Sequence, residues 1–447
     1  MGSFPKSRFA YALALLALYL LLATFGCASG SDYTPDYWLQ RGDEFMQRQS
    51  FWIAQECYNK SLELDGTNAT AWMKKGQALS GLLNYDDALS TYNESIRFDP
   101  RLAEAWYSKG LALAHLGRYD ESIQAFEAAI AIHPQAPLSW YSKGLAQANL
   151  GRFDESLQSL NKVTELDGGL SDAWYSKALV LAEMGRDGES QDALRRTVEA
   201  DPENEQAWLY LGLGLMSRGD HIGAIDAFDR IIEYNPINSG AWIGKAATLR
   251  LAGRYNESIE AYNRSIELNP VDAAAWNGKA VAYADLKRYN ESLSLFDEAI
   301  RIDPDGAGFL YNKALVLHEM KNYSEEAAVL KKAVEMQPDC ATCWNSLGLA
   351  LSGLESFDEA VVAYDRAIEL NSSYLEPWNN RGIALILGRE DIDGALESFE
   401  QALKIDPDCM EAWVNKANAL KLAEDREADA EYAERKAREL GYREEGI

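Results

Sequence analysis

Residues 105–134 read AWYSKGLALAHLGRYDESIQAFEAAIAIHP. Apolar or small residues fall at Trp106, Gly110, Leu113 and Leu116, steps of four, three and three that mark one face of a helix. Gly117-Arg118 closes that helix. Tyr119-Asp120-Glu121-Ser122 opens a second one, with acids in its first turn to suit the helix dipole. Ile123, Phe126, Ile130 and Ile132 carry its apolar face, and Pro134 ends the block because proline cannot continue a helix.

The block recurs along the chain. Tryptophan returns every 34 residues at Trp38, Trp72, Trp106, Trp140, Trp174, Trp208, Trp242 and Trp276. Leu310 stands at a missed beat, followed by Trp344, Trp378 and, one residue late, Trp413. The small residue four places after the tryptophan recurs as Gly76, Gly110, Gly144, Ala178, Gly212 and Ala246. An aromatic recurs in the second helix as Tyr58, Tyr92, Phe126, Phe228, Tyr262 and Phe296, and a proline closes most blocks. A fixed period of this length is the mark of a solenoid, because no single block can bury its apolar faces alone.

Tryptophan, small residue, aromatic and closing proline in this order resemble the tetratricopeptide repeat, from Tyr37 to about Tyr442. The resemblance implies an all-α, right-handed superhelical solenoid of about twelve helix-turn-helix repeats over residues 37–447. The charged stretch near Glu427 to Leu440 would be its C-terminal cap. Tryptophan and phenylalanine are expected to fill the gap between repeats. The resemblance also implies a peptide-binding groove lined by first-helix residues just after the tryptophan. Here these are Tyr107, Tyr141 and Tyr175, then Asn277, Asn312, Asn345, Asn379, Asn380 and Asn415. Tyrosine offers contact area at small entropy cost, and asparagine can bond a peptide backbone as donor and acceptor. Two repeats depart from the pattern. Repeat nine begins Asp305-Gly306-Ala307-Gly308 and lacks its tryptophan; repeat eleven carries one extra residue near Asp391-Ile392-Asp393.

The N-terminus is a separate element. Lys6 and Arg8 precede an uncharged apolar run from Phe9 to Gly26, the composition of an export signal. The run also just reaches the length of a membrane helix. Residues 1–26 therefore read as a signal peptide or signal anchor, with Ser31 onward outside, and residues 27–36 as a tether. Cys27, after the small Gly26, resembles the lipid-attachment cysteine of prokaryotic lipoproteins. Thr24 and Phe25 depart from that pattern, and an ordinary cleavage site beside a chance cysteine reads the same stretch equally simply.

Seventy acidic residues against 43 basic ones give a net charge of −27, which would repel nucleic acid. Cys340-Ala341-Thr342-Cys343 lacks a second such pair or nearby histidines to complete a zinc site. The two cysteines read as tolerated small residues, with a local disulfide as the other chemistry their spacing permits. Lysine follows the tryptophan by three at Lys75, Lys109, Lys143, Lys177, Lys245 and Lys279, most simply because the stems cover apolar surface. Eight N-x-S/T sequons occur, and copying of the repeat accounts for their shared phases. No catalytic triad, phosphate loop or metal cluster stands out, and no cofactor or small-molecule substrate is called for. The function expected is a non-enzymatic scaffold for proteins or peptides, outside the cytoplasm and associated with its membrane. A regulatory subunit of a secretion, envelope-assembly or glycosyltransferase complex is the second reading.

Overall fold

The computed structural model describes residues 33–423 and 426–442. The leader, Cys27 and most of the tether lie outside the described residues. Among the described residues there are 24 α-helices, from Pro35–Gln47 to Glu427–Glu439, and consecutive helices pack in pairs. Each pair is one repeat, with a first helix A and a second helix B. The fold is thus the all-α helical repeat solenoid that the 34-residue period implies. The described chain divides into two compact parts, one ending at Gly214 and the other beginning at Leu215. None of the described helices is long and apolar enough to cross a membrane.

Four contacts recur along the repeats. The first is the approach of helix A to helix B. A Cβ added at Gly110 would lie 2.5 Å from the Phe126 ring, and one at Gly348 would lie 2.4 Å from Tyr364. Glycine at this place therefore lets the ring sink against the backbone. Where alanine occupies it, the partner shrinks, as in Ala178 with Leu194 and Ala314 with Leu330. Alternatively the ring leans on a glycine of the next helix A: a Cβ at Gly278 would lie 2.4 Å from Tyr262. Phe296 packs instead with Ala280 and Val316. The rings at this position, not the tryptophans, are the largest fully buried side chains.

The second contact is a buried serine hydroxyl. Ser122 donates to the Gly110 carbonyl at 2.8 Å, and Ser156, Ser190, Ser258 and Ser292 repeat that bond twelve residues back. Ser61, Ser95 and Ser265 bond instead to the start of their own helix A. These serines complete the sequons at Asn59, Asn93, Asn263, Asn256 and Asn290, which explains why the sequons share repeat phases.

The third contact adds a second role to tryptophan, whose rings pack at the edge of the core clusters, as Trp106, Trp242 and Trp344 do. Each repeated indole is only partly buried. From Trp72 onward its N–H donates to the backbone carbonyl six residues earlier, as from Trp140 to Pro134 at 3.0 Å and from Trp276 to Pro270 at 2.9 Å. The ring therefore latches the incoming loop to helix A and rests against the core, whose fully buried rings are Tyr and Phe. Leu310 in repeat nine has no such donor, yet is buried at 5% exposure.

The fourth contact is the turn after helix A. Its residue adopts left-handed φ in successive repeats, at +71° for Gly117 and +61° for Leu83. The next N–H reaches back over the last turn, from Arg118 to Leu113 and from Asn84 to Leu79. The extra residue of repeat eleven is absorbed here: Leu375–Arg389 runs to 15 residues where other helices A have 13, and Glu390 takes the left-handed turn. The last helix, Glu427–Glu439, buries only Ala430, Ala433 and Ala437.

Left-handed φ disfavours leucine by roughly 1–2 kcal/mol, partly offset by the entropy glycine loses on folding. Leu83 is 74% exposed, so its side chain contributes little packing. Leu83→Gly should stabilise the chain by up to about 1 kcal/mol, whereas Gly117→Ala should destabilise it by a similar amount. Urea unfolding of both variants checks this, and the same sign for both would contradict it.

Candidate peptide-binding face

The nine residues expected to line a groove lie on helices A and fall into rungs between neighbouring helices. In the first part, the Tyr141 hydroxyl lies 3.2 Å from the Ser176 hydroxyl, and Ser142 makes a looser contact with the Tyr107 hydroxyl at 3.5 Å. The Tyr175 ring centroid lies 6.3 Å from that of Tyr210. In the second part, Asn312 donates to Asn277 at 3.0 Å, Asn380 to Asn345 at 3.2 Å and Asn415 to Asn379 at 2.9 Å. All six rungs join the residue after a tryptophan position to the second residue after the next one.

The rungs leave the tyrosines and asparagines in different states. Tyr107, Tyr141 and Tyr175 are half-buried, with part of each ring open. Burial raises the Tyr141 hydroxyl pKa, although its bond to Ser176 acts the other way; burial and then Tyr210 raise that of Tyr175. Asn345 is only 5% exposed, donates to the Tyr374 hydroxyl at 3.3 Å and accepts from Asn380, so it faces inward. Asn277, Asn312, Asn379, Asn380 and Asn415 are half-buried.

A cavity of about 290 Å³ opens beside Tyr107, lined also by Gln77, Tyr85, Glu104, Ser108 and His115. The Gln77 amide donates to Glu104 at 3.2 Å and to Ser108 at 3.3 Å. The His115 ring stacks on Tyr85, with centroids 4.9 Å apart. Tyr92 also lines the cavity and bonds to Ser80; burial pushes its hydroxyl up to about 12. The sequence reading missed Ser142, Ser176 and this cavity. The signal was present in the thrice-repeated Trp-Tyr-Ser-Lys of repeats three to five.

The lysine stripe is occupied internally. The ammonium groups of Lys75, Lys109, Lys143 and Lys177 sit 4.9–5.6 Å from the centroids of the tryptophan rings three residues earlier. Lys143 also pairs with Glu127 at 2.7 Å and Lys245 with Asp229 at 2.6 Å. Where the tryptophan is missing, Lys313 lies between Asp297 at 2.8 Å and Glu325 at 3.2 Å. Burial acts to lower its pKa, but the bonds to these carboxylates win and raise it.

Cys340 and Cys343 form a disulfide, correcting the reading of both as merely tolerated small residues. Cys340 also caps helix Ala341–Gly353 by accepting the Cys343 N–H at 3.2 Å. Cys57 is buried, which pushes its thiol up to about 11, and Cys409 is free. Among the described residues no group of His, Cys, Asp and Glu could hold a metal ion.

Models of the tetratricopeptide repeat match residues 39–137, 175–241, 243–307 and 386–441, and a second model of the same repeat matches 138–169 and 307–374. The chain is a tetratricopeptide-repeat protein. No curated protein sequence matches the array as a relative. Among solved structures, that of YrrB, described as a TPR protein with an unusual peptide-binding site, is 25% identical over 43% of this chain and 99% of its own, with a TM-score of 0.38. MamA is 23% identical over 37% and 96%, at 0.35, and pilF of Pseudomonas aeruginosa is 18% identical over 46% and 95%, at 0.41. The tetratricopeptide fold is a scaffold for interactions between proteins, and proteins built on it are typically non-catalytic.

The rung bonds should be measurable in this array. A typical buried hydrogen bond contributes about 0.5–1.5 kcal/mol. Tyr141→Phe and Ser176→Ala should each destabilise by about that amount, and the double variant by little more than either. Simple additivity in a chemical-denaturation cycle would show that the hydroxyls do not interact.

Proposed function

We propose that this chain is a non-enzymatic scaffold that holds peptide or protein partners on its helix-A face, and that its N-terminus tethers it to the outer face of the cytoplasmic membrane. The observation that carries the binding reading is the row of half-open rings at Tyr107, Tyr141 and Tyr175. The rungs and surrounding helices hold these rings in place, so a partner meets contact area that is already ordered. Asn277, Asn312, Asn379, Asn380 and Asn415 are partly exposed and suit a peptide backbone. The lysines between them are committed to tryptophan rings and carboxylates, which argues for tyrosine as the recognising residue. The tether reading is supported by Lys6, Arg8, the apolar run Phe9–Gly26 and Cys27.

Two measurements test these halves separately. Tyr141→Ala should weaken capture of a membrane-extract partner far more than Lys143→Ala, by on the order of tenfold or more for a good aromatic anchor. If Lys143→Ala alone disrupts capture, recognition lies in the lysine row. Mass spectrometry of the mature N-terminus from membrane fractions should show either an intact leader or a lipid on Cys27. Recovery mainly as a soluble cytoplasmic chain with its leader intact would refute the tether.

A further inference from the structure

Three consecutive helices A of the first part carry a tyrosine and, one turn later, a leucine: Tyr107 with Leu111, Tyr141 with Leu145 and Tyr175 with Leu179. Residues four apart share a helix face. The rungs from Tyr107 to Ser142, from Tyr141 to Ser176 and from Tyr175 to Tyr210 set these pairs side by side. Tyr210 and Leu213 carry the row onto helix Glu205–Ser217. Exposure rises toward that end, to 37% at Leu179, 41% at Leu213 and 45% at Tyr210. In the second part, Asn277, Asn345 and Asn379 interrupt the same phase, so the continuous apolar row belongs to the first part.

The row begins at the cavity beside Tyr107. That lining contains one carboxylate, Glu104, several hydroxyls, the rings of Tyr85, Tyr92 and Tyr107, and the His115 imidazole, and it includes no lysine or arginine. Asp172 adds an exposed carboxylate at the start of helix Ser171–Glu183, three residues before Tyr175. Lys109, Lys143 and Lys177, the cations of these same helices, are turned to their tryptophans. The face is therefore apolar along its length and negative at its edge, on a chain of net charge −27. An acidic segment would be repelled, and a purely apolar one would leave the carboxylates unmatched.

We infer that the helix-A face of repeats three to six binds an apolar peptide segment carrying a basic side chain, with its apolar residues along the Tyr107–Leu213 row and its cation in the cavity beside Glu104. This rests on the peptide-binding reading above and adds where the peptide lies and what it contains. The tyrosine and leucine contacts would supply most of the affinity, while Glu104 would fix register and association rate.

A random peptide display library selected on the full-length chain tests it, with Leu179→Glu and Glu104→Gln as variants. Both positions are exposed, and thermal melts followed by circular dichroism check that folding is kept. Selected peptides should combine large apolar residues with an arginine or lysine. A labelled member should bind Leu179→Glu at least about tenfold more weakly. On Glu104→Gln, binding should lose part of its salt dependence. Enriched peptides that lack a basic residue, or that bind both variants as tightly as the parent, would overturn this inference and leave peptide binding in general standing. No enrichment at all would overturn both. Self-association of the chain, or binding to phosphatidylcholine–phosphatidylglycerol vesicles, that Leu179→Glu abolishes would assign the row to a second copy or to lipid instead.

Discussion

Every repeat depends on how near the backbone of helix A can come to helix B. Glycine at Gly110 or Gly348 leaves room for a whole aromatic ring against the helix. An interior packed at crystal density cannot accept a methyl group there without moving something. The chain keeps this contact volume by exchanging pieces: alanine with leucine, or alanine with a ring that leans on the following repeat. Full burial of such a ring contributes on the order of 1.5–3 kcal/mol. The contact recurs along each part, so stability is spread over many similar interfaces instead of one core.

Because the scaffold is fixed by glycine, serine, tryptophan and the turn residue, the two positions after the tryptophan are free to vary. They hold tyrosine and serine in repeats three to five, and asparagine in much of the second part. Both chemistries join one helix A to the next in the same geometry. The rungs thus serve packing and surface character together. An amide pair such as Asn345 with Asn380 rigidifies the stack, and a tyrosine–serine pair holds a ring in place while leaving part of it open.

The period made the fold and the helix boundaries legible, since one block read at Ala105–Pro134 transfers to the others. It did not reveal what each conserved-looking residue does. Size and apolarity point to tryptophan as core packing, and its ring does rest against the core, but nothing in the period shows that the indole N–H also binds the loop. Asn345 shows the same limit at the candidate site. Its place in the repeat matches that of Tyr141, but its orientation depends on Tyr374 and Asn380, residues 29 and 35 positions away. The cysteine pair was ambiguous because spacing alone does not distinguish a helix cap from a bonded pair, and here Cys340 is both.

The spans of the defining interactions have a consequence for how the chain is made. The indole latch reaches back six residues and the serine bond twelve or twenty-six, and the rungs reach thirty-five or thirty-six. None of these contacts needs residues that are still hundreds of positions away. The loops to be closed are short, and the entropy of closing them stays small however many repeats are added. Such a chain can fold progressively behind the point where it emerges, each repeat setting as soon as its neighbour is complete, and adding repeats lengthens none of the loops that must close.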